Sequence, residues 1–354
     1  MKISGPFFCT LAIAAAVTLL FAIPARAQSS LTGELAIQTT AADHAAAVAA
    51  QTRYRHAHPA NNEAGQSLRA LQTAEQLSSY SSTTDGRESG GFLQYFSDVT
   101  YGGGHVLTSA VSHAIYLQPL SGNQCTIAAC WGDPEGFLRD LGRSDIIHDV
   151  DQYVGLYGGD RYTVGFHATV NYSPPPTPLL DTDIQAFVHA VAVKNGASGY
   201  GHIYHVFLPP GQDECSDSTF ETCYSPDNPE AFYYCAYHSS ADFPDIGHVL
   251  YTLQPYQDVA GCQVQPGTPN GMLVDTADST LEHETIESIT DPDGDAWTNT
   301  NSAVFGGLEI ADECEFFDTQ NFDYFESPTF LVGTHVYAVQ TVYSNEQHAC
   351  SSAP

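Results

Sequence analysis

The residues whose types and spacing could do chemistry stand at His283-Glu-Thr-Ile-Glu287, an HExxE pattern within Leu281-Glu-His-Glu-Thr-Ile-Glu-Ser-Ile-Thr-Asp-Pro-Asp-Gly-Asp-Ala-Trp297. On an α-helix residues four apart share a face, so His283 and Glu287 can hold one cation while Glu284, on the adjoining edge, acts on a bound water. This is the logic of a zinc-hydrolase helix with Glu in the place of the usual second His. In that chemistry Glu284 takes a proton from the attacking water and passes it to the leaving amine.

A metal needs further protein ligands. Gly307-Leu-Glu-Ile-Ala-Asp-Glu-Cys314 offers Glu309 and Asp312 about two dozen residues downstream, Asp312 being favoured, and His238 in Cys235-Ala-Tyr-His238 is another candidate. In the thermolysin-like zincins the third ligand is likewise a carboxylate reached after a comparable gap, which implies zinc. Glu282, Glu284 and Glu287 are followed by Asp291, Asp293 and Asp295 with no basic residue nearby in sequence. Converging carboxylates raise each other's pKa. A divalent cation relieves that, and so would Arg139, Arg143 or Arg161 folding back; a solvated acidic helix is the plainer alternative. Calcium is the second cation to weigh, at Asp291-Pro-Asp-Gly-Asp295. There Gly294 stands at the fourth rather than the sixth loop position and Ser302 where a bidentate Glu belongs, so a turn is favoured.

The elements that must position these groups can be read from periodicity. Asp278 is a candidate helix cap and Asp291-Pro292 a stop. Leu281, Ile286 and Ile289 form one apolar side with His283 and Glu287 roughly opposite, so the HExxE face is expected to meet a cleft or solvent. Strand-like runs cover His105 to Leu117, Tyr162 to Val170, His202 to Leu208, His248 to Leu253 and Thr329 to Tyr343. Helical patterns cover Pro134 to Leu141, Ser144 to Val154 and Asp181 to Lys194. The mixture predicts an α/β or α+β single mixed-sheet domain over residues 92–354, with a zincin-like active helix and disulfide-stapled loops from Pro209 to Pro269. Residues 28–91 are rich in Ala, Gln, Ser and Thr, and a propeptide, a linker or a helical arm would each fit.

Lys2, the apolar run Leu11 to Ile23 and Ala25-Arg-Ala27 form a secretory signal peptide over residues 1–27, and no later run is long enough to span a bilayer. A secreted, extracellular or periplasmic product is expected. The eight remaining cysteines favour disulfides, with Cys125–Cys130 and Cys215–Cys223 the obvious local pairs. Ten Lys and Arg stand against 41 Asp and Glu, a net charge of −31, which disfavours nucleic acid and anionic membranes as partners. The last basic residue is Lys194. His202, His205 and His248 read as packed or surface histidines and Trp297 as a packing residue. No GxSxG elbow, P-loop or dinucleotide turn is present.

Tyr101-Gly-Gly-Gly-His-Val-Leu-Thr108, Cys235-Ala-Tyr-His238, Pro269-Asn-Gly271, Thr290-Asp-Pro292 and Ala296-Trp297, in this order, resemble the EXORDIUM or phosphate-induced protein family and its bacterial relatives. The resemblance implies an extracellular, cell-wall-associated protein with no agreed enzymatic activity. Some plant members lack HExxE on the corresponding helix, and here it is complete. The expectation is therefore a secreted zinc-dependent hydrolase, a metallopeptidase acting on a peptide or protein; the alternative is a non-enzymatic extracellular or cell-surface protein binding a cell-wall component. Oligomeric state is not legible.

Overall fold

The computed structural model describes residues 35–68, 98–122, 124–299, 309–315, 324–325 and 327–353. The expected signal peptide lies outside them. Seven strands make one mixed sheet: β1 (Leu35–Ile37), β2 (Gln51–Pro59), β3 (Ala110–Pro119), β4 (Tyr162–Tyr172), β5 (His202–Phe207), β6 (Tyr234–Phe243) and β7 (Gly247–Gln254). Their spatial order is β1-β4-β3-β5-β7-β6-β2. The first five in that order run parallel, then β6 and β2 are added antiparallel. The α/β expectation thus holds, and the parallel strands read as near-continuous apolar runs because both faces are covered.

Alternation along the strands feeds two cores. Ile115 and Leu117 of β3 join Ile184, Phe187 and Val188 of helix α3 (Asp181–Asn195), with α1 (Ala41–Ala49) beside it. Ala114 and Tyr116 point the other way, to Phe137 and Leu138 of α2 (Pro134–Leu141) and to Leu281, Ile286 and Ile289 of α4 (Met272–Thr290). The expected helix from Ser144 to Val154 is two short ones, Asp145–His148 and Asp151–Val154.

Three expectations are corrected. Residues 28–91 do not all lie outside the domain, since β1 pairs with β4 and β2 pairs with β6. The stretch Pro209 to Pro269 is not only loop: it contains β6 and β7, joined as a hairpin. Helix α4 starts at Met272 after Gly271, so Asp278 is a buried mid-helix residue and not a cap.

The cysteines pair as expected at Cys125–Cys130 and Cys215–Cys223, and the structure adds Cys235–Cys262 and Cys314–Cys350. These pairs fit an oxidising compartment. No helix among the described residues is long and apolar enough to cross a membrane.

Candidate metal centre

Helix α4 is buried without interruption from Asp275 to Thr290. Its apolar side packs as expected, but its HExxE side is covered as well and meets neither cleft nor solvent. Such a polar helix tolerates burial partly because Thr285, Ser288 and Thr290 return their hydroxyls to the carbonyls of Leu281, Glu284 and Ile286. The cover consists of β2, β6 and the turn Asp312–Cys314. Period-two alternation in β2 sends Tyr54, His56 and His58 toward α4, and the register sets His56 directly opposite His238 of β6. The turn is pinned by Cys314–Cys350 and by the Tyr343 amide on the Ile310 carbonyl at 2.8 Å.

His283 Nε2 stands 3.1 Å from Glu287 Oε2 and 3.7 Å from Asp312 Oδ1. His238 Nδ1 is 3.3 Å from Glu284 Oε2 and 3.5 Å from Glu287 Oε2, while its Nε2 is 3.8 Å from Glu309 Oε2. His56 Nε2 is 2.7 Å from Asp312 Oδ2, and Tyr54 donates to Glu309 Oε1 at 2.6 Å. Two donors about 2.1 Å from one tetrahedral cation lie about 3.4 Å apart, so the separations between 3.1 and 3.8 Å would also suit atoms sharing an ion. Every sequence-predicted ligand, His283, Glu287, Asp312, Glu309 and His238, meets in this nest, together with Glu284.

Further contacts orient these side chains. Gln340 Nε2 donates to the Ala311 carbonyl at 2.8 Å, which fixes which end of the amide is oxygen. Gln340 Oε1 then receives the Nδ1 hydrogen of His283 at 3.1 Å, leaving Nε2 turned toward Glu287 and Asp312. Glu315 Oε1 stands 2.8 Å from His58 Nε2, and His58 packs edge-on to His283 at 4.3 Å. Beside His58, Glu315 and Gln340 lies a cavity of about 10 Å³, about the size of one water.

The histidines are the counter-charges here: against burial, His283 and His238 hold Glu287 down to about 2. Burial pushes Glu309 well up, with Glu287 and Asp291 adding to it, and burial likewise raises Glu284. Burial alone would lower His238, but Glu284 and Glu287 override it and push it up to about 9. His283 is raised in the same manner, by Glu287 above all, against the effect of burial. The arginines pair elsewhere: Arg139 with Asp133, Arg143 with Asp160 and Arg161 with Asp151. His238 Nε2, Glu284 Oε1 and Glu309 Oε2 are buried and make no hydrogen bond, and His283 Nε2 and Glu287 Oε2 are buried and face each other at 3.1 Å in poor alignment. Each orphaned polar atom of this kind costs about 1–3 kcal/mol or more. A cation bound here would remove that cost for several of them at once. Among the described residues, three groups of His and carboxylate atoms lie close enough to hold an ion, and all three are in this nest.

Tyr54, His56 and His58 are the residues the sequence reading missed. Their signal was the two-residue alternation in Arg53-Tyr-Arg-His-Ala-His58. The aspartates after α4 form a turn: Asp291 Oδ1 accepts from the Ala296 amide at 2.7 Å, and Asp293 accepts from Tyr200 at 2.5 Å and Ser240 at 2.6 Å. Trp297 packs on Tyr101 and Tyr153. His205 is buried against Thr252, His202 lies on His113 and His248 on Asp242. No family model, curated protein or solved structure matches this chain.

Proposed function

We propose that this chain is an exported, divalent-metal-dependent hydrolase built on the His283–Glu287 helix, with a peptide or protein as substrate. The observation that carries this is the convergence of buried, hydrogen-bond-free atoms of His283, Glu287, Glu284 and His238 at ligand spacing. Imidazole mixed with carboxylate favours zinc over calcium, which takes oxygen ligands alone. A bound cation supplies Lewis acidity to a carbonyl oxygen and acidity to a water. His283, Glu287 and Asp312 would hold it, Gln340 orients His283, and Glu284 would take the proton of the attacking water. That proton then goes to the leaving nitrogen as the carbon–nitrogen bond breaks.

The complete burial of the nest supports a second reading, in which the cation clamps β2 onto α4 in a non-enzymatic, EXORDIUM-like extracellular protein. Assay of the mature protein on a fluorogenic peptide library, zinc-loaded and chelated, separates the two. The hydrolase reading expects cleavage that chelation abolishes and that Glu284→Gln lowers by about 10²–10⁴-fold. A zinc-loaded protein that is stabilised but inert on every peptide would select the clamp.

A further inference from the structure

We propose that the nest is a dinuclear centre, built for two divalent cations and not one. The inference rests on the metal reading above and goes one step past it. Two sets of potential ligands share no member: His58, His283 and Glu284 form one, and His56, Glu287 and Asp312 form the other, with candidate atoms within 4.8 Å of one another in each. The sets abut, since His283 Nε2 of the first is 3.1 Å from Glu287 Oε2 of the second. A third set, His238 with Glu284 and Glu287, takes one carboxylate from each. Carboxylates that belong to two ligand sets are what bridging between neighbouring cations requires, and paired sites hold their ions about 3.5–4 Å apart.

Donor supply and charge point the same way. A single zinc takes about three protein ligands and keeps one open position. The nest supplies His56, His58, His238 and His283 with Glu284, Glu287, Glu309 and Asp312, all at most a few per cent exposed. One cation would leave five of these eight idle and, with the four carboxylates ionised, two negative charges without a metal charge to match them. Two divalent cations match the charge of these four carboxylates, and uncompensated burial costs several kcal/mol per ion. One role changes as a result. With both ions bound Glu284 is a ligand, and Glu309, which is in none of the three sets, is the carboxylate left to take a proton: its Oε1 is held by Tyr54 and its Oε2 makes no hydrogen bond.

Stoichiometry tests this. The purified mature protein is stripped with chelator, reloaded with zinc(II), desalted and measured by elemental analysis, and a parallel sample is loaded with manganese(II) for electron paramagnetic resonance. The expected result is about two zinc ions per chain and the spin-coupled signal of a manganese pair. His58→Asn and His56→Asn should each reduce the count to about one, with folding checked by circular dichroism; should either variant fail to fold, the wild-type count and the manganese signal decide. One zinc per chain with an isolated-ion manganese signal would overturn the dinuclear centre and leave the hydrolase reading standing. No bound metal would overturn both.

Discussion

Strands β2 and β6 carry two buried polar groups back to back, and the two are satisfied in opposite ways. On the α3 side Arg55 pairs with Asp181, which also accepts from Tyr237 at 2.8 Å, Tyr251 at 2.9 Å and Gln185 at 2.7 Å. Tyr234 donates to Glu214 in the same group, and Arg55 Nε is its one atom without a hydrogen bond. On the α4 side His56, His238, His283 and four carboxylates crowd together with orphaned atoms on several of them. The chain supplies the first face with a guanidinium, Arg55, and the second with imidazoles, of which His238 and His283 are pushed up by the carboxylates beside them. Polar burial alone therefore does not mark a site, and the proposal for the second face rests on the spacing of its orphaned atoms.

The largest expected effect breaks the satisfied face. Arg55→Met leaves Asp181 and Glu214 without their counter-charge, and should cost about 3–5 kcal/mol in urea unfolding whether or not zinc is present. Glu309→Gln on the other face should cost less than about 1 kcal/mol in chelated protein, because burial, with Glu287 and Asp291 adding to it, pushes that carboxyl well up and disfavours the charge the substitution removes. Equal losses in the two variants would erase the distinction drawn between the faces.

A smaller effect sharpens the comparison through pH. Burial, with Asp181 adding and Arg55 opposing, pushes Glu214 up to about 8. A carboxyl raised in the folded state contributes stability that is complete below its unfolded pKa and lost as pH rises through the folded value. Asp291, raised by burial to about 7 at the edge of the nest, acts in the same direction. The melting temperature of chelated protein should therefore fall from about pH 4 to about pH 8. Zinc should act oppositely, since protons compete for its ligands, so the gap between loaded and chelated melting temperatures should widen over that range. A gap that narrows with rising pH would speak against histidine and carboxylate ligands.

The half of the nest on and after α4 was legible because helical spacing is local: His283, Glu284 and Glu287 lie within one turn or so, and Glu309 and Asp312 follow closely. The other half was not. The composition of residues 28–88, taken as a whole, hides the nine-residue strand Gln51–Pro59, whose pairing with β6 joins residues far apart in sequence. Amphipathicity also misled, because it assigns the polar side of a helix to the outside. Here carboxylates and histidines from four elements cover one another, and only the tertiary fold reveals that cover. The sheet was better predicted, since β3, β4, β5 and β7 are apolar or alternating runs in their own right, whereas β6, rich in Tyr, Ser and Ala, gave a weaker signal.

The most direct test of the central claim is anomalous diffraction at the zinc edge from crystals of the mature protein prepared without chelator. The account predicts anomalous density among His283, Glu287 and Asp312, with donor atoms at about 2.0–2.2 Å. A nest filled only by ordered waters hydrogen-bonded to His283 Nε2 and Glu287 Oε2, with no anomalous peak, would contradict it.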